Sequence, residues 1–468
     1  MARRSRRGRA PDVQPDEGGA GPAGEAAARD LLALDEIADR LDGALRQSPA
    51  DETELVWMEV LRGEAESRGP RAEARTARHR TLVARVLERG RVGSHRTGSG
   101  EGGEVADAIR QALAQSRIHQ PLRGLPHLPA PEAAPAELPP LSCPEIAALT
   151  ADGARELLAG LHRQRGALDL QWTLARVAVF NSRGVRRRAE VTSAALQVRM
   201  SRLPGGGRAA AASRTLAGLA AAELLETAQQ RHATGDAGEL PAAPVAALLS
   251  GEAAIELVAL LNRTALAASA YSDGTSFLRE HLGVQVFDRG ITIRDDATDP
   301  RGLPFPFDLE GTVKKPVDLV LAGTAKTPAL DQRQAAQLGL PPTGHSISGN
   351  DARAENLFLL PGPESEEELL ARADGGIWIG WLDAVAPIEP RRVRFLAHAR
   401  GVRRIREGRL AEALPDCLWD DSLLRCLSET PRVGSRLARR LGRDGVLGGI
   451  CAPPVLLSAH GLSPAPRP

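Results

Sequence analysis

The feature that most constrains the fold is the way the chain is interrupted beyond residue 264. Gly, Pro and Asp divide this region into short apolar runs: Gly290–Arg294, Val317–Leu321, Asn356–Leu360, Gly376–Trp381 and Pro454–Leu457. Short apolar runs between turn-forming residues are typical of β-strands, whereas core helices need longer periodic segments. The sequence therefore predicts a β-rich C-terminal half with few helices.

The first half of the chain alternates between helical and strand patterns. The expected elements are helices at Leu31–Leu45, Glu104–Gln115 and Asp152–Gln164, strands at Glu54–Val60, Arg80–Glu88 and Gln171–Asn181, a polar strand to about Met200, and a long alanine-rich helix over Ala210–Arg231. A proline-rich connector at 119–141 has the composition of an extended linker. These patterns predict an α+β fold, in which an N-terminal antiparallel sheet with helices is followed by a β-rich C-terminal domain.

The expected domain organisation has three parts. Residues 1–30 read as a disordered arginine-rich tail, because the basic cluster has no apolar segment behind it. An N-terminal α+β domain then occupies 31–235, including the connector, and the β-rich domain occupies 240–463.

Composition limits the partners and the compartment. Sixty basic residues balance fifty-nine acidic ones, so the net charge of +1 gives no overall attraction to nucleic acid. Nearly all basic residues are arginine, which fits a GC-rich genome and makes arginine clusters weak evidence for function. No apolar run is long enough for a transmembrane helix. Four widely spaced cysteines favour a reducing cytoplasm over a disulfide framework.

Several familiar motifs are absent from the sequence. None of the ten histidines precedes a glutamate and no two lie three or four residues apart, so there is no H-E-x-x-H motif. There is no C-x-x-C pair and no G-x-S-x-G turn. Gly98, Gly100 and Gly103 imitate a dinucleotide-binding turn, but the required second strand would fall in the proline-rich connector.

One segment raises a question of chemistry. Ser250–Arg263 has apolar residues at 254, 257, 258 and 261, which predicts a helix with a buried face. Glu252 and Glu256 lie one turn apart on the other side, where like charges repel by about 0.2–0.5 kcal/mol. From the residues alone, the pair is either a working acid, base or metal site or a solvated face.

A series of segments, in this order, resembles the TldD/PmbA family, the modulators of DNA gyrase known as metallopeptidases. The segments are Val179–Val185, Ile291–Gly311, Pro316–Gly323, Leu330–Gly339, Thr343–His345, Asn356–Gly362, Ala399–Leu410 and Cys451–Leu457. The clearest is ITIRDDATDPRGLPFPFDLEG, a short strand, Asp-Asp, a Pro/Gly loop and Phe-Asp-x-Glu-Gly. The resemblance extends from about residue 31 to 463.

The resemblance also bears on the two glutamates. In the family's catalytic branch, the corresponding helix carries H-E-x-x-x-H zinc chemistry with a C-terminal cysteine as third ligand. Here the histidine positions hold Gly251 and Glu256, the glutamate position holds Glu252, and the cysteine would be Cys451. Catalytic zinc needs three protein ligands, so the resemblance implies no zinc on this chain and leaves Glu252 and Glu256 as remnants.

We therefore expect a TldE/PmbA-like, non-catalytic subunit that helps a zinc-bearing TldD-like partner degrade small or unfolded peptides, either in a heterodimer or paired with itself. Whether the chain is itself an enzyme stays open. The candidate substrate-binding residues are Asn181, Thr343, His345 and Asn356. Two alternatives remain. One is an autonomous metallopeptidase rebuilt from Glu256, His345 or His281 with Cys451. The other is a nucleic-acid or gyrase-associated protein that binds through residues 1–10, although scarce aromatic residues disfavour base stacking.

Overall fold

The computed structural model describes residues 31–464, except for 70, 99–101, 123, 125, 134–137, 162–165, 202–205, 234, 236, 348–350 and 443–444. The arginine-rich tail expected at 1–30 lies outside the described residues. Within the described part, no helix combines the length and apolar character needed to cross a membrane.

The first half builds one antiparallel sheet covered by helices. In chain order its elements are α1 (Leu34–Arg46), β1 (Glu52–Arg68), β2 (Arg71–Glu88), β3 (Arg91–Thr97), α2 (Gly102–Ile118), α3 (Pro144–Ala147), α4 (Ala151–Leu161), β4 (Ala167–Asn181), β5 (Arg186–Arg199), β6 (Arg208–Ser213) and α5 (Ala221–Arg231). The strand order is β3-β2-β1-β4-β5-β6. β1 and β4 pair along nearly their whole lengths at the centre of the sheet. β6 stands at one end of the strand order and is therefore an edge strand.

The long helix expected over Ala210–Arg231 is wrong. Residues 208–213 form β6, which pairs with β5 in the register Ala211↔Leu196, and the helix starts only at Ala221. Alanine favours helices intrinsically, but here the apolar surface available beside β5 decides the structure. A turn around Gly218 and the left-handed backbone of Ala220, with φ of 46°, separate strand from helix.

The proline-rich connector has no helix or strand in its described residues, as expected, but part of it is bound to the first sheet. The backbone N–H of Leu128 donates to Glu52 Oε2 at 2.7 Å, and Asn181 Nδ2 donates to the carbonyl of Pro129 at 2.9 Å. Arg183 Nη1 also donates to the carbonyl of Leu128. The segment therefore closes over one end of the sheet.

The second half contains short strands and mostly short helices. They are β7 (Val245–Leu249), α6 (Gly251–Leu261), α7 (Ala268–Ser272), α8 (Leu278–His281), β8 (Ile293–Asp295), β9 (Val317–Leu321), β10 (Thr324–Ala325), α9 (Gln332–Leu338), β11 (Asn356–Leu359), α10 (Glu366–Arg372), β12 (Ile377–Ile379), β13 (Trp381–Glu389), β14 (Arg394–Arg400), β15 (Arg403–Arg406), β16 (Arg409–Ala413), β17 (Cys417–Ser422), α11 (Leu423–Ser428), β18 (Arg432–Val433), β19 (Ala438–Leu441), β20 (Gly449–Ala452), β21 (Val455–His460) and β22 (Ser463–Pro464).

These strands form three sheets, and their orders decide which edges are free. The orders are β10-β9-β8-β11-β20-β19, β16-β15-β12-β7-β21-β18 and β13-β14-β17-β22. The expected α+β class, with an N-terminal antiparallel sheet and a β-rich C-terminal part, is confirmed. The largest apolar core surrounds α6. In a second core, Phe305, Phe307 and Leu309 of the β8–β9 loop pack against β1 and β4, which joins the two halves.

Candidate functional site

Helix α6 is the element that carries the two glutamates, and it is buried on nearly every side. Ser250 caps its start by accepting the N–H of Ala253 at 3.1 Å, while the Ser250 hydroxyl donates to the carbonyl of Gly380. Every residue of the helix except Glu252 and Glu256 is buried. A helix that is apolar all round belongs in a core, so the two glutamates mark the one side that meets polar surroundings.

That side faces a cavity of about 700 Å³ between the first sheet and α6. Its walls come from β1 and β4, from β6, from α6, and from β19 with the loop that follows. Two walls, β6 and β19, are edge strands of different sheets, and they lie next to each other. The lining includes six arginines (62, 208, 263, 353, 439 and 440) and four glutamates (64, 252, 256 and 355).

Glu252 is held by basic side chains and by backbone. Its Oε1 lies 2.9 Å from Arg231 Nη1, and its Oε2 lies 3.6 Å from Arg208 Nε. Oε1 also accepts the backbone N–H of Ala210 at 3.1 Å. The carboxylate therefore ties α6 to the edge strand β6 and neutralises charge from two arginines.

Glu256 has a different set of cationic neighbours. It forms an ion pair with Arg440 of β19. Arg263 is also near: burial lowers its pKa, Glu256 opposes that shift, and the positive charges of Arg440 and Arg353 add to it. Both glutamates thus have arginine partners, and neither lies on the freely solvated face that the sequence left open.

The position before Glu252 has no room for a side chain. A Cβ atom on Gly251 would lie 2.6 Å from the Cβ of Ala438 and 2.9 Å from the carbonyl oxygen of Ala452. Atoms do not approach that closely without displacement, so β19 and β20 occupy the space that a histidine at 251 would need. Position 251 therefore lacks both a histidine and the space that a histidine would need.

Cys451 lies on β20 but is not among the residues that line the cavity; its neighbour Ile450 is. Since successive side chains of a strand point to opposite faces, the Cys451 thiol points away from the cavity. Burial raises its pKa to about 12, with Asp299 adding to the shift and Arg439 and Arg301 opposing it.

These residues do not fit a zinc ion. Gly251 offers no donor, both carboxylates are neutralised by guanidinium groups that would repel a divalent cation, and Cys451 faces elsewhere. Among the residues that the structure describes, no group of three or more His, Cys, Asp or Glu side chains is arranged to hold a metal. His281, whose ring contacts the carbonyl of Phe277, adds no ligand to such a group.

Three of the four predicted substrate-binding residues lie together outside the cavity lining, in a cluster where His345 and Asn356 are buried and Thr343 is half-buried. His345 Nε2 is 3.3 Å from Asp295 Oδ1, and its Nδ1 is 2.8 Å from Thr343 Oγ1. The backbone N–H of Asn356 donates to Asp295 Oδ2 at 2.7 Å. Burial opposes ionisation of Asp295, yet Lys314 and His345 hold its pKa well below the usual value.

Asn181 lies apart from this cluster, at the end of β4, where the turn to β5 begins. Its Oδ1 accepts the N–H groups of Arg183 and Val185 at 2.9 and 3.0 Å. These bonds satisfy a tight turn, and Asn181 is likewise absent from the cavity lining. A role of these four residues in substrate binding stays a prediction.

The residues that the sequence did not identify are the arginines of the cavity. They come from β1, β6, the segment just after α6, the loop before β11, and β19, so no local motif contains them. Arginine was also discounted as a compositional bias. The one sequence signal is indirect: two carboxylates one turn apart on an otherwise apolar helix need cationic partners from elsewhere in the chain.

Comparisons with known proteins agree on one group. Residues 243–463 match the family model described as the PmbA/TldA metallopeptidase C-terminal domain. A metalloprotease from Methanothermobacter thermautotrophicus is 30% identical over 207 residues, which are 41% of this chain and 44% of that protein. The chain thus matches less than half the length of this curated relative.

Solved structures match over most of the chain. TldE from Thermococcus kodakarensis superposes with a TM-score of 0.79 at 18% identity, covering 91% of this chain and 100% of that one. A putative modulator of a DNA gyrase from Thermotoga maritima gives 0.78 at 20% identity, over 92% and 100%. A putative modulator of DNA gyrase from Bacteroides thetaiotaomicron gives 0.72 at 15%, over 92% and 99%.

The chain is therefore an α+β protein with an arginine-lined cavity between its first sheet and α6, and its residues 243–463 form a domain of the PmbA/TldA metallopeptidase C-terminal type. Residues 243–463 place this domain in the TldD/PmbA family, as the order of the motifs indicated, and the chain as a whole shares the fold of the solved TldE and gyrase-modulator structures.

Proposed function

We propose that this chain is a TldE/PmbA-like, non-catalytic subunit that helps a zinc-bearing, TldD-like partner act on small or unfolded peptides. The main support for this proposal comes from the residues that stand at the H-E-x-x-x-H positions and from their contacts. Gly251 is closed off by β19, and Glu252 and Glu256 are each paired with arginine. A site built in this way has no means of holding the metal that activates water in such enzymes.

The proposed contribution of the chain is to hold an extended peptide along the edge strand β6. The N–H of Ala210 points away from β5, because it donates to Glu252. Residues two apart in a strand direct their N–H groups to the same side, so the N–H of Ala212 is directed toward the same edge. Main-chain pairing at such an edge binds peptides with little dependence on sequence, which suits unfolded substrates. The four free cysteines support a cytoplasmic location.

The first test is the metal content of the purified chain after exhaustive dialysis without chelator. We expect zinc below about a tenth of an equivalent, since three ligands are required. Close to one equivalent, lost on Cys451→Ser or Glu256→Ala, would refute the proposal and favour an autonomous enzyme with a rebuilt site.

The second test is partnership. The chain is mixed with a TldD-like protein that carries the complete H-E-x-x-x-H motif, and the complex is followed by light scattering and by cleavage of an unfolded peptide. We expect no cleavage by this chain alone and faster cleavage by the mixture than by the partner alone. Absence of a complex and of any rate change would contradict a subunit role. Salt-sensitive DNA binding that is lost on removal of residues 1–10 would favour the nucleic-acid alternative.

A further inference from the structure

The lining of the cavity contains more arginines than glutamates, and three of these arginines lie close enough for their charges to interact. Arg263 follows α6, Arg353 precedes β11 and Arg440 lies on β19, and all three line the cavity. Glu256 is the carboxylate that pairs with Arg440, and Asp351 lies 3.4 Å from Arg353. Glu355 lines the same part of the cavity, and the described lining as a whole has six arginines against four glutamates, which leaves an excess of positive charge in a partly enclosed space.

Hydrogen-bond donors in this group also lack acceptors. The Nε atoms of Arg353 and Arg440 are buried, and neither has a hydrogen-bond partner among the described residues. A buried donor left without an acceptor costs about 1–3 kcal/mol, so such donors usually mark a place where a ligand or ordered water completes the structure. An arginine fork matches the two oxygens of a carboxylate particularly well.

We infer that Arg263, Arg353 and Arg440 form a carboxylate-binding subsite that anchors one end or one acidic side chain of the bound peptide. This inference rests on the proposed function, and it specifies a carboxylate as the chemical group of the peptide that the cavity binds. The subsite lies about one turn along α6 from Glu252, on the same side of the helix, and Glu252 is engaged with β6, so a peptide along β6 would bring its carboxylate to the arginines at one end of the cavity.

Glu256 is the internal competitor for this subsite. Because its carboxylate already pairs with Arg440, it occupies part of the charge that a ligand would use. Removing that negative charge frees the guanidinium, so Glu256→Gln strengthens carboxylate binding. Loss of a purely structural ion pair would not have this effect, which makes the substitution a specific readout.

Isothermal titration of the full chain with acetylated hexapeptides of Ala and Ser tests the inference. The peptides carry a free C-terminal carboxylate, a C-terminal amide, an amide with one central Asp, or an amide with Asn instead. We expect at least one carboxylate form to bind roughly 10- to 100-fold more tightly than its neutral counterpart, as for a hydrogen-bonded charge. Preference for the free terminus identifies an α-carboxylate, and preference for Asp identifies a side chain.

The variants Arg353→Gln and Arg440→Gln should abolish this preference, whereas Arg406→Gln should retain it. Arg406 is an exposed arginine on β15 that pairs with Glu412 outside the cavity, and it serves as the matched control. Melting temperatures confirm that each variant is folded. Equal binding of all four peptides overturns the subsite but leaves the peptide-binding function intact. Binding of none overturns both, while the metal and partner tests report on the subunit role separately.

Discussion

Arg85 is a buried cation that joins the two halves of the chain, and its removal gives the sharpest stability prediction. Its guanidinium donates to Glu54 of the neighbouring strand at 3.0 and 2.9 Å. It also lies 2.8 Å from Glu310 of the β8–β9 loop, and all three side chains are buried. One arginine therefore compensates two carboxylates that have little access to water.

We expect Arg85→Met to lower the free energy of unfolding by about 3–5 kcal/mol at pH 8, because it leaves two buried charges without a partner. The loss should depend on pH. Burial already raises the pKa of Glu54 to about 7 from an ordinary value of 4.5, against the opposing effect of Arg85. Between those values the folded state binds more protons than the unfolded state, so stability falls as pH rises through that window. Without Arg85 the pKa rises further, and the loss at pH 5.5 should be smaller by about 1 kcal/mol or more.

The assay is urea denaturation at pH 5.5 and pH 8, followed by circular dichroism and tryptophan fluorescence. Arg75→Met is the control, since Arg75 lies on the same strand and its pair with Glu64, at 2.7 Å, is exposed. That substitution should cost much less stability than Arg85→Met, because solvent screens an exposed ion pair. Adding Glu54→Gln and Glu310→Gln to Arg85→Met should recover most of the loss. The reasoning is refuted if Arg85→Met costs no more than the control, or costs the same at both pH values.

Two further predictions concern buried packing, one beside the cavity and one between the two halves of the chain. Gly251→Ala should destabilise the chain by about 1–3 kcal/mol in urea denaturation, because the new methyl group collides with Ala438. The control Gly43→Ala, in the open middle of α1, should stabilise the chain by about 0.5–1 kcal/mol. Equal effects of the two substitutions would show that β19 moves aside without loss of stability. Arg214 is buried and donates to four backbone carbonyls, which belong to both halves of the chain. Arg214→Met should therefore lower the free energy of unfolding by about 2–4 kcal/mol, against less than about 1 kcal/mol for the exposed Arg436→Met. A loss no larger than that of the control would mean that water replaces the guanidinium.

Local patterns in the sequence predicted the elements whose stability is largely local. The helix from Gly251 has a capping serine and apolar periodicity, and the strands around Val317 and Asn356 are short apolar runs between turns. Each of these signals lies within a few residues. The sequence also indicated the overall α+β order, because helical and strand patterns separate along the chain.

The sequence could not predict features that depend on distant neighbours. The alanines of β6 prefer helix in isolation and become a strand only because β5 offers a partner. The pairing of Glu256 with Arg440 joins residues 184 positions apart, and no spacing rule connects them. Thr343, His345 and Asn356 are candidates on the basis of motifs, but their position around Asp295, away from the cavity, follows from tertiary packing.

The closed position at Gly251 has an evolutionary consequence. A larger side chain there requires β19 to move, and β19 is held to α6 by the ion pair of Arg440 with Glu256. Substitutions at 251, 256 and 440 are therefore not independent: a histidine gained first at 251 would be selected against for lack of space. A route back to metal binding would have to loosen the strand before changing the glycine. Among relatives, the residue at the position of Gly251 should accordingly vary together with the placement of the strand that corresponds to β19.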